Sequence, residues 1–117
     1  MFIKTTAIAA VALFACQSAW SACNYPKKIF VPNGTVATED EMLEGQKAVK
    51  QYMVDMNEFL DCLEAETSSA VTEGEDPQIT VERETIRSKR HNAAVDEMET
   101  VASDYNEAVR AYKARQQ

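Results

Sequence analysis

Two apolar stripes with the same spacing, one in each half of the chain, constrain the fold more than any other feature. Both stripes advance in alternating steps of three and four residues, which is the period of a coiled-coil helix. The first stripe consists of Met42, Gln46, Val49, Met53, Met56, Leu60 and Leu63. The second consists of Arg87, His91, Ala94, Met98, Val101, Tyr105, Ala108 and Tyr112. Each half of the chain is therefore predicted to form one long helix with an apolar seam.

The two stripes mirror each other about Glu75. If the helices fold back on each other, the residue numbers of facing seam positions always add up to 150 or 151, so that Met53 faces Met98. The mirror point lies in residues 73–77, where Gly74 and Pro77 indicate a loop. The pattern predicts an all-α protein, an antiparallel two-helix hairpin with a coiled-coil-like contact.

Local signals give the ends of the two helices. Thr38 and Glu41 form the T-x-x-E pattern of a capping box, which is typical of a helix start. Asp76 followed by Pro77 is a second start signal, and no glycine or proline occurs from position 78 to position 117. We predict helices over about 39–69 and 78–115, within a hairpin that spans residues 38–117.

Charged residues favour the same orientation of the two helices. Residues 39–76 carry 12 acidic residues and only two lysines. The second half places basic residues opposite these acids: Arg83, Arg87, Lys89 and Arg90 opposite 58–66, and Arg110, Lys113 and Arg115 opposite 39–44. Exposed ion pairs are each worth well under about 1 kcal/mol. We expect them to select the orientation of the hairpin rather than to stabilise it.

The N-terminus has the layout of a secretory signal peptide. Lys4 is followed by an uncharged run and then by small residues, so we predict that residues 1–21 are cleaved and that the protein is periplasmic or secreted. The uncharged run is shorter than the roughly 20 apolar residues of a membrane helix. We therefore expect it to be removed as a signal peptide and expect no membrane span in the cleaved chain. One alternative stays open, because residues 13–16 resemble a lipobox in which Cys16 would carry a lipid.

Cys23 and Cys62 are the two cysteines that would remain after cleavage. Residues 22–37 contain two prolines, an Asn-Gly pair and no helical period, so they are predicted to form an extended arm. Such an arm can span about 50 Å, whereas the helix from Thr38 to Cys62 is about 36 Å long. The arm can therefore run antiparallel to the first helix and end in a Cys23–Cys62 disulfide. A disulfide between two molecules is the alternative.

Aromatic residues on the first helix favour packing of the arm against it. A second stripe of that helix faces away from the hairpin contact and contains two large aromatic residues, Tyr52 and Phe59. We expect the apolar residues of the arm to cover them: Tyr25, Ile29, Phe30 and Val31.

Composition and motifs argue against several classes of function. The cleaved chain of about 96 residues would hold 11 basic and 19 acidic residues, since Lys4 is lost, and its net charge of −8 suits neither nucleic acid nor anionic lipid. His91 is the only histidine, and its position on the seam favours a role in the core over catalysis or pH sensing. We therefore predict no catalytic, cofactor or metal site and expect a protein that is not an enzyme.

Several longer motifs are spread over the chain after position 22. They are CNYP at 23–26, VPNGTVATEDEM at 31–42, HNAAVDEM at 91–98 and RAYK at 110–113. With these motifs the chain resembles a group of small, uncharacterised exported helical proteins of proteobacteria that carry two cysteines. The resemblance implies a Gram-negative periplasmic setting and two cysteines that occur together. It implies no activity, cofactor or catalytic residue.

These observations lead to one expected function and two alternatives. We expect a non-enzymatic helical interaction module of the bacterial envelope, an adaptor or a chaperone-like protein, which binds protein partners or itself. One alternative is a periplasmic stress sensor that binds a small ligand or a metal between its helices. The other is a lipid-anchored structural protein of the envelope.

Overall fold

The computed structural model describes residues 23–117. Within this range an extended arm leads into two helices, α1 (Glu39–Ala70) and α2 (Pro77–Arg115), which pack against each other, and no strand is present. The fold confirms the predicted all-α hairpin. The predicted signal peptide, residues 1–21, and the lipobox with Cys16 lie outside the described residues.

Side-chain caps start both helices. The Thr38 hydroxyl accepts a hydrogen bond from the Glu41 N–H at 3.2 Å, and the Glu41 carboxylate accepts one from the Thr38 N–H at 2.7 Å. This capping box pairs two N–H groups that the helix cannot pair by itself. The Asp76 carboxylate accepts a hydrogen bond from the Gln78 N–H at 2.9 Å, and Pro77 occupies a position where its missing N–H costs no helical bond.

The most buried line of α1 combines residues of its predicted seam with residues of the second stripe, which contains Tyr52 and Phe59. Apart from Val49, which is half-buried, every member of this line is buried: Met42, Gly45, Val49, Tyr52, Met56, Phe59 and Leu63. Met53 and Leu60 of the predicted seam are half-buried, and Gln46 is exposed. The reason is that α2 covers one side of α1 while the arm covers the next, so the residues between the two contacts lie deepest.

Helix α2 faces α1 with small residues. Its three buried residues, Ala94, Val101 and Ala108, are spaced by seven positions. The other predicted seam residues of α2 are half-buried: Arg87, His91, Met98, Tyr105 and Tyr112. Met56 and Ala94 are both 0% exposed and belong to one apolar cluster, in which a long side chain fills the space that a small one leaves.

Few charged residues pair between the helices. Arg90 Nη1 lies 3.9 Å from Glu66 Oε1, as predicted for this end of the hairpin. Arg83 instead pairs with Glu75 of the loop, and Arg87 pairs with a glutamate of its own helix. The hydrogen-bonded Arg83 guanidinium lowers the pKa of the Glu75 carboxyl. Among the described residues, ion pairs therefore support the orientation of the helices mainly at Arg90.

The turn of the arm closes the open end of the hairpin. The Asn33 carbonyl accepts a hydrogen bond from the Ala37 N–H at 2.8 Å. Gly34 lies directly on the backbone of α2, where an added Cβ would be 1.8 Å from the Ala108 carbonyl oxygen. Arg115 Nη1 donates to the Gly34 carbonyl at 3.3 Å. Only glycine allows the turn to approach α2 this closely.

Candidate functional site

A disulfide joins the arm to α1. Cys23 and Cys62 are bonded with their Cα atoms 5.7 Å apart, as the sequence predicted. The bond closes a loop with a sequence separation of 39. A Glu66 carboxylate oxygen lies 3.1 Å from the Cys23 sulfur. The arm is thus held against α1 by a covalent bond.

Apolar packing holds the arm along α1 in addition to the disulfide. The Tyr25 ring meets the Phe59 ring edge to face, with centroids 5.0 Å apart and an interplanar angle of 73°. The Arg90 guanidinium covers the Phe59 ring at 5.7 Å from its centroid. Ile29 and Val31 are half-buried against the core. The predicted cover of the α1 aromatic residues is therefore formed by three of the four expected side chains.

Phe30 is the exception, because its side chain is 83% exposed. The prediction that Phe30 covers Tyr52 and Phe59 is wrong. In an extended chain successive side chains point to opposite faces, so Phe30 must face away when Ile29 and Val31 face the core. This period of two was visible in the sequence and could have identified Phe30 as an outward-facing residue.

Tyr52 brings a polar group into the core. Its side chain is 2% exposed, and its hydroxyl lies near that of Tyr25 but makes no hydrogen bond of good geometry among the described residues. Burial raises the pKa of Tyr52 to about 12, and the nearby Tyr25 and Glu97 add to the rise. Lys28 Nζ of the arm lies 3.8 Å from Glu97 of α2. The arm, α1 and α2 thus meet at one small polar cluster.

An open cleft of about 580 Å³ lies between the arm and the first turns of α1. Its walls are formed on the arm by Ile29, Phe30, Pro32, Asn33, Val36 and Ala37, and on α1 by Glu41, Glu44, Gly45 and Ala48. Two exposed apolar side chains lie at its edge, Val36, which is 74% exposed, and Phe30, which is 83% exposed. Pro32 of the arm packs directly on Gly45, where an added Cβ would lie 2.7 Å from the proline ring, and the short side chain of Ala48 leaves the space beside this contact open. The cleft is therefore mainly apolar, with two carboxylates on its helical wall.

A smaller cleft of about 430 Å³ lies beside the disulfide, between Asn24–Lys27 of the arm and α1. In residues 23–117 no three His, Cys, Asp or Glu side chains come together to hold a metal ion. No helix in this part of the chain is long and apolar enough to cross a membrane.

No family model, curated protein or solved structure matches this chain significantly. The resemblance to exported proteobacterial proteins therefore rests on its sequence motifs alone. The cleft and the arm carry the functional argument.

Proposed function

We propose that this protein is a non-enzymatic, exported interaction module of the bacterial envelope, an adaptor or a chaperone-like protein, and that it binds its partners on the arm. The observation that carries the proposal is the pair of exposed apolar side chains, Phe30 and Val36, at the edge of an open apolar cleft. Large apolar side chains grouped around a concave surface are typical of protein-binding sites.

The way in which the arm is held supports this proposal. Because Cys23 is bonded to Cys62 and the turn at Gly34 packs on α2, the segment between them is held at both ends. A binding surface that is already ordered loses less conformational entropy when a partner binds. The arm thus presents Phe30 at low entropic cost.

The disulfide also supports an exported setting. Structural disulfides persist in oxidising compartments such as the bacterial periplasm and are rare in the cytosol. Together with the predicted signal peptide, the bond favours an envelope location. The net charge of −7 for the whole chain argues against nucleic acid as the partner.

Site-specific photo-crosslinking in intact cells of the native host tests the proposal. A photoreactive amino acid is placed at Phe30 and, as a matched control, at Ile86, which is 58% exposed on α2 and does not line the cleft. We expect discrete crosslinked protein bands from position 30 and none of them from position 86. The same bands from both positions, or none from position 30, would contradict a binding surface on the arm. A band at twice the monomer mass would identify self-association.

A further inference from the structure

The arm is an extended segment whose backbone is free to pair. Within residues 23–117, no backbone N–H or C=O group from Asn24 to Pro32 has a protein hydrogen-bond partner. Pro26 and Pro32 cannot donate, and between them lie five residues, 27–31, that can. About five residues is the usual length of a strand. Residues 27–31 therefore have the length and the free backbone groups of an unpaired edge strand.

The side chains of this segment place its backbone groups along the surface. Ile29 and Val31 face the core, and Phe30 faces away from it. In an extended chain the N–H and C=O groups point sideways, at right angles to the side chains. They therefore lie along the two edges of the arm, and Ile29, Phe30 and Pro32 also form a wall of the cleft.

The opposite wall determines which partner fits. Glu41 and Glu44 line the cleft, and Glu39 and Asp40 precede them in the first turn of α1. Helix α1 as a whole carries nine acidic residues and two lysines. A second copy of this chain with its α1 on the cleft would bring like charges together, whereas lysine or arginine beside these carboxylates would be attracted. Lys27 and Lys28 do not line the cleft, so basic side chains of the partner fit only at its Glu41 and Glu44 wall.

We propose that residues 27–31 accept an extended segment of another protein as an added β-strand. The segment alternates apolar and basic residues, so that apolar side chains enter the cleft beside Ala48 and basic ones lie near Glu44. Main-chain hydrogen bonds to the arm supply affinity, and the cleft supplies specificity. This inference rests on the proposed function and names its mode of binding and its class of partner.

Synthetic peptides test this mode with the oxidised full-length protein. The probe is a fluorescein-labelled seven-residue peptide that alternates lysine and valine, and binding is measured by fluorescence anisotropy. Three controls are the same peptide with glutamate for lysine, with N-methylated valine amides, and with N-methylated lysine amides. We expect the cationic peptide to bind and the glutamate peptide to bind at least roughly tenfold more weakly. One of the two methylated peptides should bind more weakly than the parent peptide by a similar factor.

Variants of the protein locate the binding site. Glu44→Lys and Phe30→Ser should each weaken binding severalfold, because each removes one feature of the cleft. Val54→Ser is the matched control, since Val54 is 51% exposed on α1 and does not line the cleft. Circular dichroism checks that every variant keeps its helices, and both cleft changes replace exposed side chains.

The possible outcomes separate the two proposals. Equal binding of both N-methylated peptides and their parent, equal binding of the glutamate peptide, or no binding at all overturns strand addition. If crosslinks still form at Phe30 in cells, the arm binds partners in another way and the proposed function stands. If crosslinks are absent as well, both proposals fail.

Discussion

Replacing both cysteines by serine should lower the free energy of unfolding by about 4 kcal/mol. The disulfide joins residues separated by 39 positions, and the chain-entropy model assigns this value to a closed loop of that size. Small domains have a total free energy of unfolding near the lower end of about 5–15 kcal/mol. The loss is therefore a large fraction of the stability, and the Cys23→Ser/Cys62→Ser variant should be partly unfolded at moderate temperature.

Urea unfolding followed by circular dichroism measures this difference. The double variant avoids a free thiol, which a single replacement would leave to form dimers. Its unfolding midpoint should fall, and its m-value should rise because an unfolded chain without the crosslink exposes more surface. The wild-type protein in excess reductant is the matched control and should behave as the variant does.

Proteolysis reports on the arm itself. Lys27 and Lys28 are exposed trypsin sites within the arm. Once Cys23 is no longer bonded to Cys62, the arm depends on packing alone, so cleavage at these lysines should become faster than in the oxidised protein. An unfolding free energy within about 1 kcal/mol of the wild type, with unchanged cleavage of the arm, would refute the view that the disulfide holds the arm and constrains the unfolded chain.

Three further changes probe the packing, each by urea unfolding. Gly34→Ala should cost about 1–3 kcal/mol, because its Cβ would collide with the Ala108 carbonyl oxygen; a neutral effect would show that the turn does not pack there. Met56→Ala should cost about 2–5 kcal/mol and half-buried Met53→Ala clearly less; the reverse order would contradict the core. Tyr52→Phe should change stability at neutral pH by less than about 1 kcal/mol, since the buried hydroxyl makes no hydrogen bond of good geometry. Because burial raises the pKa of Tyr52 from 10.0 to about 12, wild-type stability should fall as pH rises through this range, and less so in the variant.

Much of the hairpin could be predicted from local and periodic features. The seam spacing indicated two helices, and the capping signals at Thr38 and Asp76 lie where α1 and α2 begin. The disulfide followed from the reach of an extended arm between Cys23 and Cys62. These predictions succeeded because they depend on spacing along one helix or on the length of one segment.

The candidate site was harder to predict. The sequence indicated that the arm lies on α1, and we expected Phe30 to face α1. Ile29 and Val31 pack against the core, so Phe30 between them faces solvent instead. The cleft could not be predicted at all, since it depends on how far the arm stands from Ala48 beside the contact of Pro32 with Gly45. Distances of this kind follow from the packing of three elements at once.

The sequence alone was enough to predict that both halves are helical and fold back about Glu75, and it made a crosslinked arm beside the first helix one of two possible uses of the cysteines. Only the tertiary structure decided that Tyr52 lies deeper than Met53, that Gly34 rests on the Ala108 backbone, and that Phe30 stays exposed beside a cleft. The physical reason is that helix starts and seams arise from neighbouring residues, whereas burial and clefts arise from contacts between segments that are distant in the chain.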